Sequence, residues 1–393
     1  MKQLLNICIV TQEYPPYSNW GGIAIYYQKL TKGLVAYGHS VVVLTRFTKQ
    51  SPRFEQANEK IKIYRIGLPS WTKYLFGRTI DKLLFAQFVV KKINNLDKTK
   101  RFDIIETTEV YLEGKILVND RKYYDRTIIQ CHGSNIIGVV PKGIFSFIHK
   151  LDFKWSFRHE LKILRKSKMI LVPSKFGKKF LLENDIPEDK ITVIYHGINT
   201  DSFLPGNNDH KINTLEVVFV GKLHKMKGSE FIWKVIERIG PNHGVRFHIV
   251  GKIHTSEKRN AEKYLEKYPE FVIYHPPLDH SAMPMLYQSM DVLLQPSYSE
   301  HFGLVFAESM ACGLIVFAGK HGGGSEIIED KVTGFLIDPN KDHEFVIHKL
   351  KEILNDNNSF KSMRQKAIKS INEKYSEYKS INQKIEYYYK NKN

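Results

Sequence analysis

The feature that most constrains the fold is a rhythm of short β-branched runs separated by longer stretches of helical period. LNICIV (5–10), SVVVLT (40–45), IKIYRI (61–66), DIIE (103–106), TIIQC (127–131), MILV (169–172) and ITVI (191–194) succeed one another in the first half. LEVVFV (215–220), RFHIV (246–250), FVIY (271–274), DVLL (291–294), LIVF (314–317) and GFLI (334–337) do so in the second. Runs with continuous rather than alternating apolar character are buried on both faces, as parallel strands covered by helices are. The β-α alternation occurs twice over, which predicts an α/β chain of two doubly wound domains. At 393 residues the chain exceeds what one hydrophobic core serves, so two domains are also the expectation from length.

The break falls at FLPGNNDHKINT (203–214), polar, rich in Pro, Gly and Asn, and without period. This predicts a first domain over 1–204, a second over 205–372 and a terminal segment over 373–393, whose tyrosines at 375, 378, 387 and 388 could pack one face against a neighbour. The opening MKQLLNICIV reads as a first buried strand rather than a signal peptide. No stretch reaches 18 uninterrupted apolar residues, so no spanning helix is expected. Cys8, Cys131 and Cys312 each sit in an apolar run and read as small core residues in a reducing cytoplasm.

Charge is distributed unevenly. Residues 1–200 hold 33 Lys+Arg and 17 Asp+Glu, a net of +16, which leaves +2 of the total +18 for the rest. Such a bias attracts anionic partners, although a lysine-rich surface that favours solubility is the plainer reading. No zinc-knuckle spacing or RNP-like sequence is present, so nucleic acid is not expected as a partner. In 138–169, Phe145, Phe147, Phe153, Trp155 and Phe157 are interleaved with lysines and arginines. That pattern suits the headgroup boundary of an anionic membrane, and equally a helix with its aromatic face in the core and its lysines in water.

In an open α/β sheet, ligands bind beyond the carboxyl ends of the strands. Unusual residues gather there: Gly21 and Gly22 in the loop after the first strand, His132-Gly133 after TIIQC, Gly221-Lys222 after LEVVFV, and Ser297 to Glu300 after DVLLQP. Two such edges predict a cleft between domains. FVGKLHKMKG (219–228) places Lys222 and Lys227 before a helix, as a diphosphate site would or as a solvated turn would. In PSYSEHFGLVFAESMACG (296–313), seven residues separate Glu300 from Glu308. The amides of Phe302, Gly303 and Leu304 are free at a helix start and would face an anion. Glu300 in the loop can accept from sugar hydroxyls, and Glu308 in the first turns can hold a vicinal diol. The bland alternative makes Glu300 a helix cap and Glu308 a surface residue.

The same stretch resembles the E-x7-E signature of glycosyltransferase family 4, retaining enzymes that use nucleotide-sugar donors. Further likenesses follow in order: PPYSNWGGIAIYYQKLTKGLVAYGHSVVVLT, CHG, VPSKF, VIYHGINTDSFLPG, GKLHKMKG and GGGSEIIEDKVTGFLID. The resemblance spans essentially the whole chain and is weakest over 50–125. It implies the GT-B fold, two Rossmann-like domains facing across a cleft, with 373–393 a helix that packs back on the first domain. It implies that Gly22, with Gly21 beside it, donates to the donor phosphate, with Gly221 at the same site. Lys222 and Lys227 would neutralise the diphosphate, and Phe302, Gly303 and Leu304 would supply amides. Glu300 would hold the transferred sugar, Glu308 the ribose, and His132 would sit near the sugar on the reacting face. Against the family's pattern, Lys222 stands where arginine is most frequent, His301 replaces a frequent glycine, and FHIVGKIHTSEKRN lacks a second glycine after the strand.

The resemblance therefore implies sugar transfer from a nucleotide-diphosphate sugar to a hydroxyl of a glycan or lipid-linked acceptor, in cell-envelope or surface polysaccharide or glycolipid synthesis. Two lysines and helix-terminal amides would stabilise the leaving group, so no cofactor and no metal are expected. The expected location is cytoplasmic, at the inner face of the membrane if the basic half binds it. The alternatives are a GT-B sugar-nucleotide epimerase, a phosphorylase, for which the chain is short, and a non-catalytic glycan- or lipid-binding protein. A dinucleotide oxidoreductase is opposed by the absence of a G-x-G-x-x-G opening a helix.

Overall fold

A computed structural model of the chain describes residues 3–18, 21–69, 78–133, 146–206, 214–241 and 243–392. It divides into two units: Met1–Tyr195 with Ser380–Asn393, and His196–Lys379. Among the described residues the first unit carries eight strands: β1 Asn6–Val10, β2 Ser40–Arg46, β3 Phe54–Asn58, β4 Ile61–Ile66, β5 Ile104–Thr108, β6 Thr127–Gln130, β7 Met169–Val172 and β8 Ile191–Val193. Their order in the sheet is β3-β4-β2-β1-β5-β6-β7-β8. Neighbours run parallel except β3, which is antiparallel to β4. No apolar run announces β3, because its FEQAN is an edge strand with mostly exposed side chains.

The second unit carries β9 Leu215–Val220, β10 Val245–Val250, β11 Val272–His275, β12 Val292–Gln295, β13 Ile315–Gly319 and β14 Phe335–Ile337. All neighbours are parallel, in the order β11-β10-β9-β12-β13-β14. Strand order reverses between β9 and β12, which opens a crevice beyond their carboxyl ends.

The two-sided burial implied by the apolar runs is visible on β1. Ile7 and Ile9 pack on one face with Tyr27, Leu30 and Leu34. Cys8 and Val10 pack on the other with Phe85, Val89 and Ile93. Each such side chain contributes about 1.5–3 kcal/mol relative to exposure. All three cysteines are buried and free. The first unit's core is completed by the end of the chain, through Ile381, Ile385 and Tyr388. Gly33 permits this approach, since a Cβ there would lie 2.0 Å from Ile381 Cδ1.

The units divide at Tyr195/His196 rather than within 203–214, and residues 207–213 of that stretch lie outside the described residues. The segment after Tyr195 packs into the second unit. Ile198 exchanges backbone hydrogen bonds with Tyr375 and Glu377, at 2.9 and 2.7 Å, and Phe203 lies against Tyr287. The last helix, Glu377–Asn391, enters the first unit at Ser380. Its tyrosines do not share one face: Tyr388 is buried, whereas Tyr378 is 71% exposed. No helix among the described residues is long and apolar enough to cross a membrane.

Candidate active site

The crevice of the second unit is built from loops that follow β9, β12 and β13. Gly221 follows β9 with φ +133, and after Leu223 the chain enters a turn, Lys225–Lys227, capped by His224. Gly228, at φ +80, then starts the helix Ser229–Ile239. A Cβ on Gly228 would lie 2.2 Å from Pro296 O, so glycine is what lets this loop touch the one after β12. The contact is sewn by Tyr298 N donating to Met226 O at 2.9 Å.

That packing delivers Lys227 Nζ to Glu300 Oε1 as an ion pair. Ser297 Oγ donates to the same oxygen at 2.8 Å. Glu300 is therefore not a helix cap. Its backbone is fixed by Gly323 N, which donates to Glu300 O at 2.6 Å, and Gly322 at φ +99 leaves room for that strand-like bridge. The helix Leu304–Ala311 begins at Gly303, in the left-handed region at φ +82 and with no side chain capping it. Its first amides are thus presented at the loop that carries Glu300.

Lys222 is exposed on the same loop as Lys227. Burial, with the charges of Lys227, His254 and Lys222, pushes the His224 imidazole down to about 4, so it is neutral at pH 7. Burial likewise lowers His301 to about 4. Phe302 is buried against His196 and Tyr375, with ring centroids 5.4 and 5.9 Å apart. Glu308 is not a surface residue: it is 3% exposed, and its Oε1 lies 2.7 Å from His280 Nε2. The structure thus joins Lys227 to Glu300 directly and places Glu308 deeper, in the helix.

The remaining candidates lie in the first unit. Gly21 and Gly22 are exposed at the start of the helix Gly22–Ala36, and nothing lies within 4 Å of a Cβ on Gly21. His132 follows β6, with its ring edge-on to Tyr26 and Tyr27 at 4.9 and 5.4 Å. Its amide and that of Gly133 both donate to Glu109 Oε1, at 2.8 and 2.7 Å. Burial pushes Glu109 up to about 7 and nearby Glu113 to about 8. Sequence reasoning missed Glu109, whose isolated position after DIIETT gives no motif. It also missed the Ser297 bridge and the Gly228–Pro296 contact, each of which joins residues far apart in the chain or of common type.

Comparison with known proteins adds to this geometry. The profile described as Glycosyltransferase Family 4 matches residues 20–202, and that described as Glycosyl transferases group 1 matches residues 204–370. An uncharacterized glycosyltransferase of Methanocaldococcus jannaschii is 27% identical over 387 residues, 95% of each chain. The sucrose-phosphate synthase of Thermosynechococcus elongatus superposes with a TM-score of 0.81 at 19% identity, over 98% of both chains. HepE of Anabaena in complex with UDP-glucose superposes with a TM-score of 0.74 at 17% identity, over 98% of this chain and 99% of that one.

Proposed function

This chain belongs to the group 1 glycosyltransferases of family 4, with the GT-B fold, and from that premise we propose that it moves a sugar from a nucleotide-diphosphate sugar to a hydroxyl of a glycan or lipid-linked acceptor, with retention at the anomeric carbon. The observation that carries the reading is the meeting of Lys227, Glu300 and the uncapped start of Leu304–Ala311 at the reversal between β9 and β12.

In the reaction the anomeric C–O bond breaks, leaving negative charge on the departing phosphate oxygen and positive charge on the sugar. The acceptor oxygen bonds to the same face, and its proton passes to that phosphate oxygen. Lys222 and Lys227 offset the leaving charge as point charges, and in the second unit the amides of Gly221, Phe302, Gly303 and Leu304 face the phosphates and sugar. Glu300 holds the transferred sugar, Glu308 exchanges His280 for the ribose diol, and His132 serves the reacting face. No divalent cation is required on this reading, so turnover should be unchanged by chelator.

The acceptor we propose is anionic and lipid-linked, used at the cytoplasmic face in envelope glycan synthesis. Its support is the helix Ser146–Lys166, which exposes Leu151 (51%) and Trp155 (40%) one turn apart beside exposed Lys154, Arg158 and Lys162. Phe145 lies outside the described residues, as does the side chain of Phe147. A panel of nucleotide sugars, screened by thermal shift and by release of free nucleotide diphosphate, tests the donor half. The reading fails if no member stabilises the protein or is turned over.

A further inference from the structure

The centre of the first unit contains a fully buried ion pair that the proposed chemistry does not use. Glu106 lies on β5, beside β1 and β6, and is wholly buried. Lys384, on the last helix and 2% exposed, places Nζ 2.5 Å from Glu106 Oε1. Tyr388 of the same helix donates its hydroxyl to Glu106 Oε2. Desolvation of two such charges consumes much of their mutual attraction, and well-packed apolar residues are often as stable. The pair therefore invites a role beyond holding the helix down.

Its geometry supplies one. Lys384 Nζ also donates to Tyr26 OH, and Tyr26 OH donates to Gln130 Oε1 at 3.0 Å. Gln130 is the last residue of β6, two before His132, and its Nε2 donates to Cys131 O at 3.1 Å. The ring of Tyr26 meets the ring of His132 edge-on, centroids 4.9 Å apart at 71°. The Tyr26 hydroxyl is thus pinned from the chain terminus at one end, and its ring forms a wall of the imidazole site at the other. Tyr27, in T-shaped contact with both rings, forms the adjacent wall. Nothing in this chain of contacts depends on residues outside the first unit.

We propose that Lys384 and Tyr26 are positioning residues for His132: the ammonium of the terminal helix fixes Tyr26, and Tyr26 fixes the imidazole at the carboxyl edge of β6. The relevance of this to catalysis rests on the reading of His132 given above, whereas the positioning itself does not.

The test uses the full chain with histidines labelled at the ring Cε1. The His132 signal is identified by its loss in His132→Gln. Two variants are compared with wild type: Tyr26→Phe, which keeps the ring but removes its anchor, and Lys384→Met/Glu106→Gln, which neutralises the pair without leaving a lone buried charge. The double variant is expected to melt near wild type, while its His132 signal shifts and broadens and kcat falls at least about tenfold with donor KM little changed. Tyr26→Phe should reproduce the spectral change. An unmoved His132 signal in both folded variants overturns the positioning. If the double variant fails to fold, Tyr26→Phe alone decides, by the same signal. Full turnover in His132→Gln on a panel donor would remove the catalytic reading and leave the positioning to the spectrum.

Discussion

Lys227 and Glu300, 73 residues apart in sequence, form an ion pair whose carboxylate oxygen is shared with Ser297 Oγ. The pair holds a cation and a hydrogen-bond acceptor side by side, which is what a substrate with a phosphate next to a hydroxylated ring needs. If Lys227 meets the charge that develops as the phosphate leaves, as proposed, Lys227→Ala lowers kcat by about 10²-fold or more. Ser297→Ala should cost less, since Lys227 still orients the carboxylate. Steady-state kinetics on the donor identified by the panel decides, and equal kcat in Lys227→Ala and wild type would remove the role.

Gly228 makes the site possible by allowing two loops to touch. Gly228→Ala adds a Cβ at 2.2 Å from Pro296 O in a backbone at φ +80, so the loop must move. The expected result is a loss of about 1–3 kcal/mol in stability and a larger loss of turnover, as the Lys227–Glu300 contact separates. Gly240→Ala is the control: φ is +68, but nothing lies within 4 Å of the added carbon. It should lose some stability and keep its activity. Denaturation and initial rates on the two variants separate the outcomes.

Stability should depend on pH through Glu109 and Glu113. Burial raises both, to about 7 and about 8, from an unfolded value of 4.5. Between pH 4.5 and 8 the folded chain therefore holds protons that the unfolded chain has released, and this contribution to stability falls as pH rises. Glu109→Gln/Glu113→Gln removes both titrations. Urea unfolding from pH 5.5 to 8.5 should show a flatter decline in the double variant than in wild type; parallel curves would refute the assignment.

Membrane attraction predicts a split between charge and insertion. Wild type should float with vesicles containing anionic lipid and not with neutral ones, less so at high salt. Trp155→Ser, at a 40% exposed position, should weaken flotation with little change in melting temperature. Equal binding to neutral and anionic vesicles, or none to either, would rule out this surface.

The sheets were legible in the sequence because their strands are buried on two faces, and a fully apolar run such as MILV or LIVF has few other uses. β3 was hidden for the opposite reason, its side chains facing water at an edge. Spacing brought Lys227, Glu300 and the Gly303 helix start to notice, since each lies next to its strand. It did not show that Lys227 touches Glu300, or that Glu308 is buried on His280, because both contacts depend on tertiary packing. The division by contacts at Tyr195/His196 precedes the polar stretch 203–214, whereas the two family profiles meet at 202–204. Polar composition marks a surface loop, whereas the division follows Ile198 and Phe203, which are apolar and pack with the second unit.

The seating of Lys384 on Glu106 bears on how the chain is made. The central strand of the first unit leaves the ribosome with a carboxylate whose counter-ion is encoded 278 positions later. At about 5–20 residues per second, that strand waits tens of seconds for its cation. During synthesis the N-terminal half must therefore persist as an incomplete intermediate, its hydrophobic layer open until Ile381, Ile385 and Tyr388 have been made and can dock.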